Sequence, residues 1–157
     1  MLCYASGNST TSRDNEGYVF DRNYDVALLL FNHQLGQADV LGTTIAGGRT
    51  SSPNNVDVEA ISNASYFAPY AQYAWKPQWD IRTTIIGGWI NEDQLATNSE
   101  KDLGFEIDLS LIHKPHERLT WSNDFAYLAP GSAFKGGTNA YKTDAVMAFF
   151  SKVAISF

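Results

Sequence analysis

Apolar and polar positions alternate with a period of two along the second half of the chain, the period of extended strands whose side chains point to opposite faces. The clearest stretch is Leu103–His113, where Leu103, Phe105, Ile107, Leu109 and Leu111 share one face and Gly104, Glu106, Asp108, Ser110 and Ile112 the other. Trp79–Asn91 repeats the pattern, with Trp79, Ile81, Thr83, Ile85, Gly87 and Trp89 against Asp80, Arg82, Thr84, Ile86 and Gly88. From Leu119 to Pro130, Leu119, Trp121, Phe125 and Tyr127 alternate with Thr120, Ser122, Asp124 and Ala126. The last strand, Asp144–Phe157, sets Met147, Phe149, Val153, Ile155 and Phe157 on one side, broken only by Ser151. Ala148, Lys152, Ala154 and Ser156 take the other side. Val56–Lys76 reads as a further strand, rich in tyrosine (Tyr66, Tyr70, Tyr73) and holding Pro69, whose register the pattern leaves open.

The first third has a different texture. Residues 1–7 read as the remnant of a strand, and residues 8–55 as one long loop region rich in Gly, Ser, Thr and Asn. Within it Tyr24–Phe31 is a continuous apolar run, either a short strand or a helical turn packed inward. The connections then sort by length. Those at Pro77-Gln78 and Lys114–Arg118 are short, and those at Gly7–Asn55, Glu92–Asp102 and Gly131–Thr143 are long. Short and long alternate strictly, as the periplasmic turns and outer loops of bacterial outer-membrane barrels do. The expectation is an all-β, antiparallel up-and-down transmembrane β-barrel, of which this chain is a C-terminal fragment of about six strands, with five of them in residues 56–157. The competing expectation is a soluble all-β carbohydrate-binding module, in which Trp75, Trp79, Trp89 and Trp121 are stacking platforms or core.

Composition changes this picture in a few places. A net charge of −6, from 11 Lys+Arg against 17 Asp+Glu, disfavours a nucleic-acid partner. No apolar run is long enough for a transmembrane helix, but barrel strands alternate and need only about 9–11 residues each. Cys3 is the only cysteine, which excludes a disulfide or a thiolate metal site within the chain. Met1-Leu2-Cys3-Tyr4 carries no signal segment, so a chain destined for export is expected to be a fragment or to have a misplaced start.

An amphipathic last strand ending on Phe157 resembles the C-terminal assembly signal of outer-membrane barrels. That likeness implies Phe149, Val153, Ile155 and Phe157 as the residues read by the barrel-assembly machinery. Further motifs are Tyr4-Ala5-Ser6-Gly7-Asn8, Phe20-Asp21-Arg22-Asn23-Tyr24-Asp25 running on through Phe31, Leu103-Gly104-Phe105-Glu106-Ile107-Asp108, and Ala129-Pro130-Gly131-Ser132-Ala133-Phe134. Together they resemble the C-terminal part of the alginate-export porin family. The resemblance implies a monomeric barrel of about 18 strands in the bacterial outer membrane, passing a polysaccharide or other polar solute passively and without a cofactor.

The lumen-facing positions assigned by alternation are Asp80, Arg82, Glu106, Asp108, Asp124 and Lys152, a mainly acidic set that departs from the cationic lining an alginate conduit calls for. These carboxylates are expected to line the solute path and to bias it against anions. Glu106 and Asp108, two apart on one strand face, have the spacing of an acid/base pair for a glycosidic bond, but a channel wall needs no such chemistry. His113 and His116 flank a turn without a third ligand, and Asp14, Glu16, Asp21 and Asp25 lack calcium-loop order. No catalytic residue and no metal site is assigned, and the chain is not expected to be an enzyme.

Overall fold

The computed structural model describes residues 1–7, 14, 16–21, 24–32, 61–92, 100–135 and 142–157. Its strands are β1 (Leu2–Ala5), β2 (Ala64–Phe67), β3 (Tyr70–Lys76), β4 (Trp79–Ile90), β5 (Asp102–His116), β6 (Leu119–Pro130) and β7 (Val146–Ile155), with one short 3₁₀ turn at Ser132–Lys135. All pairings are antiparallel, in the order β1-β2-β4-β5-β6-β7, and β3 pairs β4 beyond β2. The fold is thus an all-β antiparallel meander, as the alternation predicts, and the sheet is open rather than closed on itself.

β2 and β3 are one strand interrupted at Pro69. A proline has no N–H for the ladder, and the break lies where Ala68 N–H turns to Met1 O and Pro69 O accepts from Ile85 N–H. The register that the sequence left open is settled by Tyr66 opposite Gly88 and Tyr73 opposite Ile81. Residues 56–60 and 33–55 of the expected strand and loop lie outside the described residues, as does His33.

Two details of the sequence reading need correction. The strand taken to end at His113 continues to His116, so the turn is Glu117-Arg118 rather than Lys114–Arg118, with a register shift around Pro115. Leu103 does not share a face with Phe105. Gly104 has φ of 87° and pairs Gly88, whereas Trp89 pairs Asp102, so one residue is inserted into β5. This bulge reverses the parity of the strand and turns Leu103, fully buried, to the opposite side. A Cβ at Gly104 would lie 2.1 Å from Ala129 O, which leaves glycine as the residue that fits.

The core is small and lies on one face. Residues 24–32, here the strap, cross the sheet as an irregular segment, neither the strand nor the helical turn considered from sequence. Ala27, Leu29, Leu30 and Phe31 pack there with Tyr66, Ile86, Ile90, Leu103, Ala126 and Leu128. At the same end of the sheet Asn63 ties three segments together: its Nδ2 donates to Glu92 O at 2.8 Å, its Oδ1 accepts from Glu92 N–H at 2.8 Å, its backbone carbonyl accepts from Asn91 N–H at 3.0 Å, and its own N–H donates to Ser6 O at 3.3 Å.

Candidate functional site

The register sorts side chains into two surfaces of opposite character. On the bare face, directly paired residues form rows: Ile85, Ile107, Tyr127 and Met147, then Thr83, Leu109, Phe125 and Phe149. Of these, Ile85, Ile107, Leu109, Phe125, Met147 and Phe149 are open to the surroundings, from 39% exposure at Ile107 to 66% at Phe149, and Tyr127 is half-buried. Near the short turns a row of Trp79, His113, Trp121 and Val153 closes the band, with Trp79 and His113 stacked at 4.0 Å. Near the long loops Tyr4, Phe67 and Trp89 close it, with the Phe67 and Trp89 rings 5.9 Å apart. The ten-residue step from Trp79 to Trp89 spans about 33 Å along a strand.

The strap face carries all six residues assigned to a lumen from sequence, but not equally in the open. Glu106 is fully buried, and Asp108 and Asp124 are each 6% exposed. Glu106 lies in a nest of successive backbone N–H groups from the strap. Leu28 and Leu29 donate to its Oε1 at 2.9 and 2.8 Å, and Leu30 donates to Oε2 at 2.5 Å. The strap curls to present these donors together: Phe31 has φ of 76°, Asn32 N–H bonds Leu29 O at 3.1 Å, and Asn32 Nδ2 donates to Ala27 O at 2.5 Å. Three backbone donors converge on its two oxygens, so Glu106 is the main polar anchor of the strap.

Asp108 Oδ2 takes a longer bond from Leu28 N–H at 3.3 Å, and its Oδ1 is buried without a hydrogen-bond partner. Asp124 is approached by Lys152 Nζ at 3.5 Å. The other half of this face, toward the short turns, is polar and is covered by none of the described residues. There Arg82 lies 4.6 Å over the Tyr70 ring, Asp80 pairs with Lys114 at 3.0 Å, and Ser110 and Ser122 fill positions between the charges. The exposed ends of the two ion pairs are the cations: the Lys114 and Lys152 side chains are 53% and 63% exposed, against 19% for Asp80 and 9% for Asp124.

Both carboxylate oxygens of Glu106 are held by backbone donors of the strap, next to Asp108. His113 Nδ1 faces Gln78 O at 3.2 Å and His116 Nδ1 accepts from Arg118 N–H at 3.3 Å, so the two imidazoles serve the adjoining turns. Among the described residues no group of three or more His, Cys, Asp or Glu is placed to hold a metal ion, and no helix is long and apolar enough to cross a membrane. The residues named for assembly, Phe149, Val153, Ile155 and Phe157, are all exposed, the first three in the strand at the edge of the sheet.

Sequence reasoning missed the strap donors and Lys114. Alternation cannot reveal backbone N–H groups, but the apolar run Tyr24–Phe31 inside a polar stretch signalled that something there seeks burial. No family model, curated protein or solved structure matches the chain.

Proposed function

We propose that these strands form part of the wall of a larger antiparallel β-barrel in a bacterial outer membrane, a conduit through which polar solutes pass passively. One observation carries the reading. The sheet exposes its aliphatic and aromatic face while three carboxylates lie buried on the other, the reverse of the arrangement water imposes on a soluble sheet. Hydrocarbon against the bare face removes the anomaly, and the aromatic rows at its two ends take the interfacial positions.

On this reading the bare face contacts outer-membrane lipid, and the apolar edge strand β7 offers Phe149, Val153 and Ile155 to the barrel-assembly machinery. Further strands complete the wall, since an open edge in lipid has no water to satisfy it. The complete barrel is monomeric and needs no cofactor. The resemblance to alginate-export porins makes a polysaccharide the first solute to try.

The test is refolding of the protein into phosphatidylcholine vesicles with a tryptophan-fluorescence readout, followed by brominated-lipid quenching. Trp89 and Trp121 should be quenched by bromines at the interface, and Leu109→Trp by bromines near the bilayer centre. A chain that stays soluble and monomeric and melts cooperatively without lipid would overturn the proposal in favour of a soluble module.

A further inference from the structure

On the conduit reading, Glu106, Asp108 and Asp124 fall on the water-filled side and should repel anions. Their surroundings argue otherwise. Glu106 is enclosed by the amides of Leu28, Leu29 and Leu30, Asp108 is buried beside it under the same segment, and Asp124 is approached by Lys152. A charge removed from the water of a pore and bonded to fixed dipoles contributes little to the potential that a passing ion meets, whereas an exposed one acts over about 8–10 Å. Among the described residues, the charges left in the open on this face belong chiefly to Arg82, Lys114 and Lys152, and residues 24–32 add only Asp25, which is exposed.

We propose that residues 24–32 are a fixed selectivity element: a strap latched to the wall through Glu106 that narrows the passage and masks Glu106 and Asp108 from the solute path. The inference rests on the conduit reading and adds two effects to it, one on pore size and one on the sign of the wall. The segment suits the task. Its apolar side chains hold it against Tyr66, Ile86 and Leu128, while its backbone supplies the donors that let an acidic residue remain buried.

The experiment is single-channel recording of the full protein in neutral planar bilayers across a KCl gradient. Replacing residues 24–32 by a Gly-Ser linker should raise unit conductance by roughly two-fold or more and move the reversal potential toward the cation side. Adding Glu106→Gln and Asp108→Asn to that replacement should keep the larger conductance and cancel the shift in reversal potential. A strap replacement that alters neither quantity overturns the inference, and so does a cation shift that survives the two amide substitutions.

A second measurement does not depend on the replacement folding. In a Cys3→Ala background in vesicles, Ser122→Cys should react with a membrane-impermeant maleimide admitted to both sides, and Ala126→Cys, buried beneath the strap, should not. Equal labelling would overturn the inference alone, since channels would still form. Failure of the parent protein to form channels at all would overturn the conduit reading, and this inference with it.

Discussion

The two faces of one sheet differ in where their stability comes from. On the bare face, among the described residues, side chains from neighbouring strands lie side by side and find their partners within the sheet itself. On the strap face a second layer nine residues long, residues 24–32, creates a buried core and houses a carboxylate. Strand pairing alone therefore suffices to place residues on a face. Whether a residue on that face meets solvent, lipid or protein depends on what else the chain folds over it, and a charge is tolerated inside only where donors are brought to it.

The sharpest way to break the contrast is to remove the charge on the covered side. Glu106→Ala leaves the Leu29 and Leu30 N–H groups buried without an acceptor and Leu28 N–H with only its long bond to Asp108, and should cost about 3–5 kcal/mol in a urea titration of the vesicle-inserted protein. A loss below about 1 kcal/mol would mean that the strap is not held by Glu106. Adding a charge to the other side comes next. Leu109→Arg, at mid-strand on the bare face, should impair insertion by about 2–4 kcal/mol, while its neighbour Ser110→Arg, on the polar half of the strap face, is tolerated. Equal sensitivity of the two would erase the distinction between the faces.

The bulge where the faces exchange residues gives a smaller effect. Gly104→Ala forces a non-glycine residue into a left-handed conformation against Ala129 O and should cost about 1–3 kcal/mol. A neutral result would show that the bulge that turns Leu103 into the core does not depend on glycine at position 104. Smallest of all should be Lys152→Met. Its ion pair with Asp124 is long and its own side chain is mostly exposed, so the change in stability should stay within about 0–1 kcal/mol, readable in the same titration. A larger loss would place Asp124 among the carboxylates that need a partner to stay buried.

What the sequence by itself determined is the strand architecture and the face of nearly every residue in β4, β5, β6 and β7. Both follow from a period-two pattern held in register by two-residue turns at Pro77-Gln78 and Glu117-Arg118. It also placed Asp80, Arg82, Glu106, Asp108, Asp124 and Lys152 on one surface, because residues directly opposite in antiparallel strands share a face. Leu103 escaped the pattern since one inserted residue inverts parity, and Gly104 by itself does not announce a bulge.

Only the tertiary structure decided which of those charges are open and which are enclosed. The partners of Glu106 are amides of residues 28–30, more than seventy positions away and on a segment with no period of its own. A contact made by backbone groups leaves no mark on side-chain alternation. It exists only once the apolar run has found the one face of the sheet that lets it bury Leu29, Leu30 and Phe31.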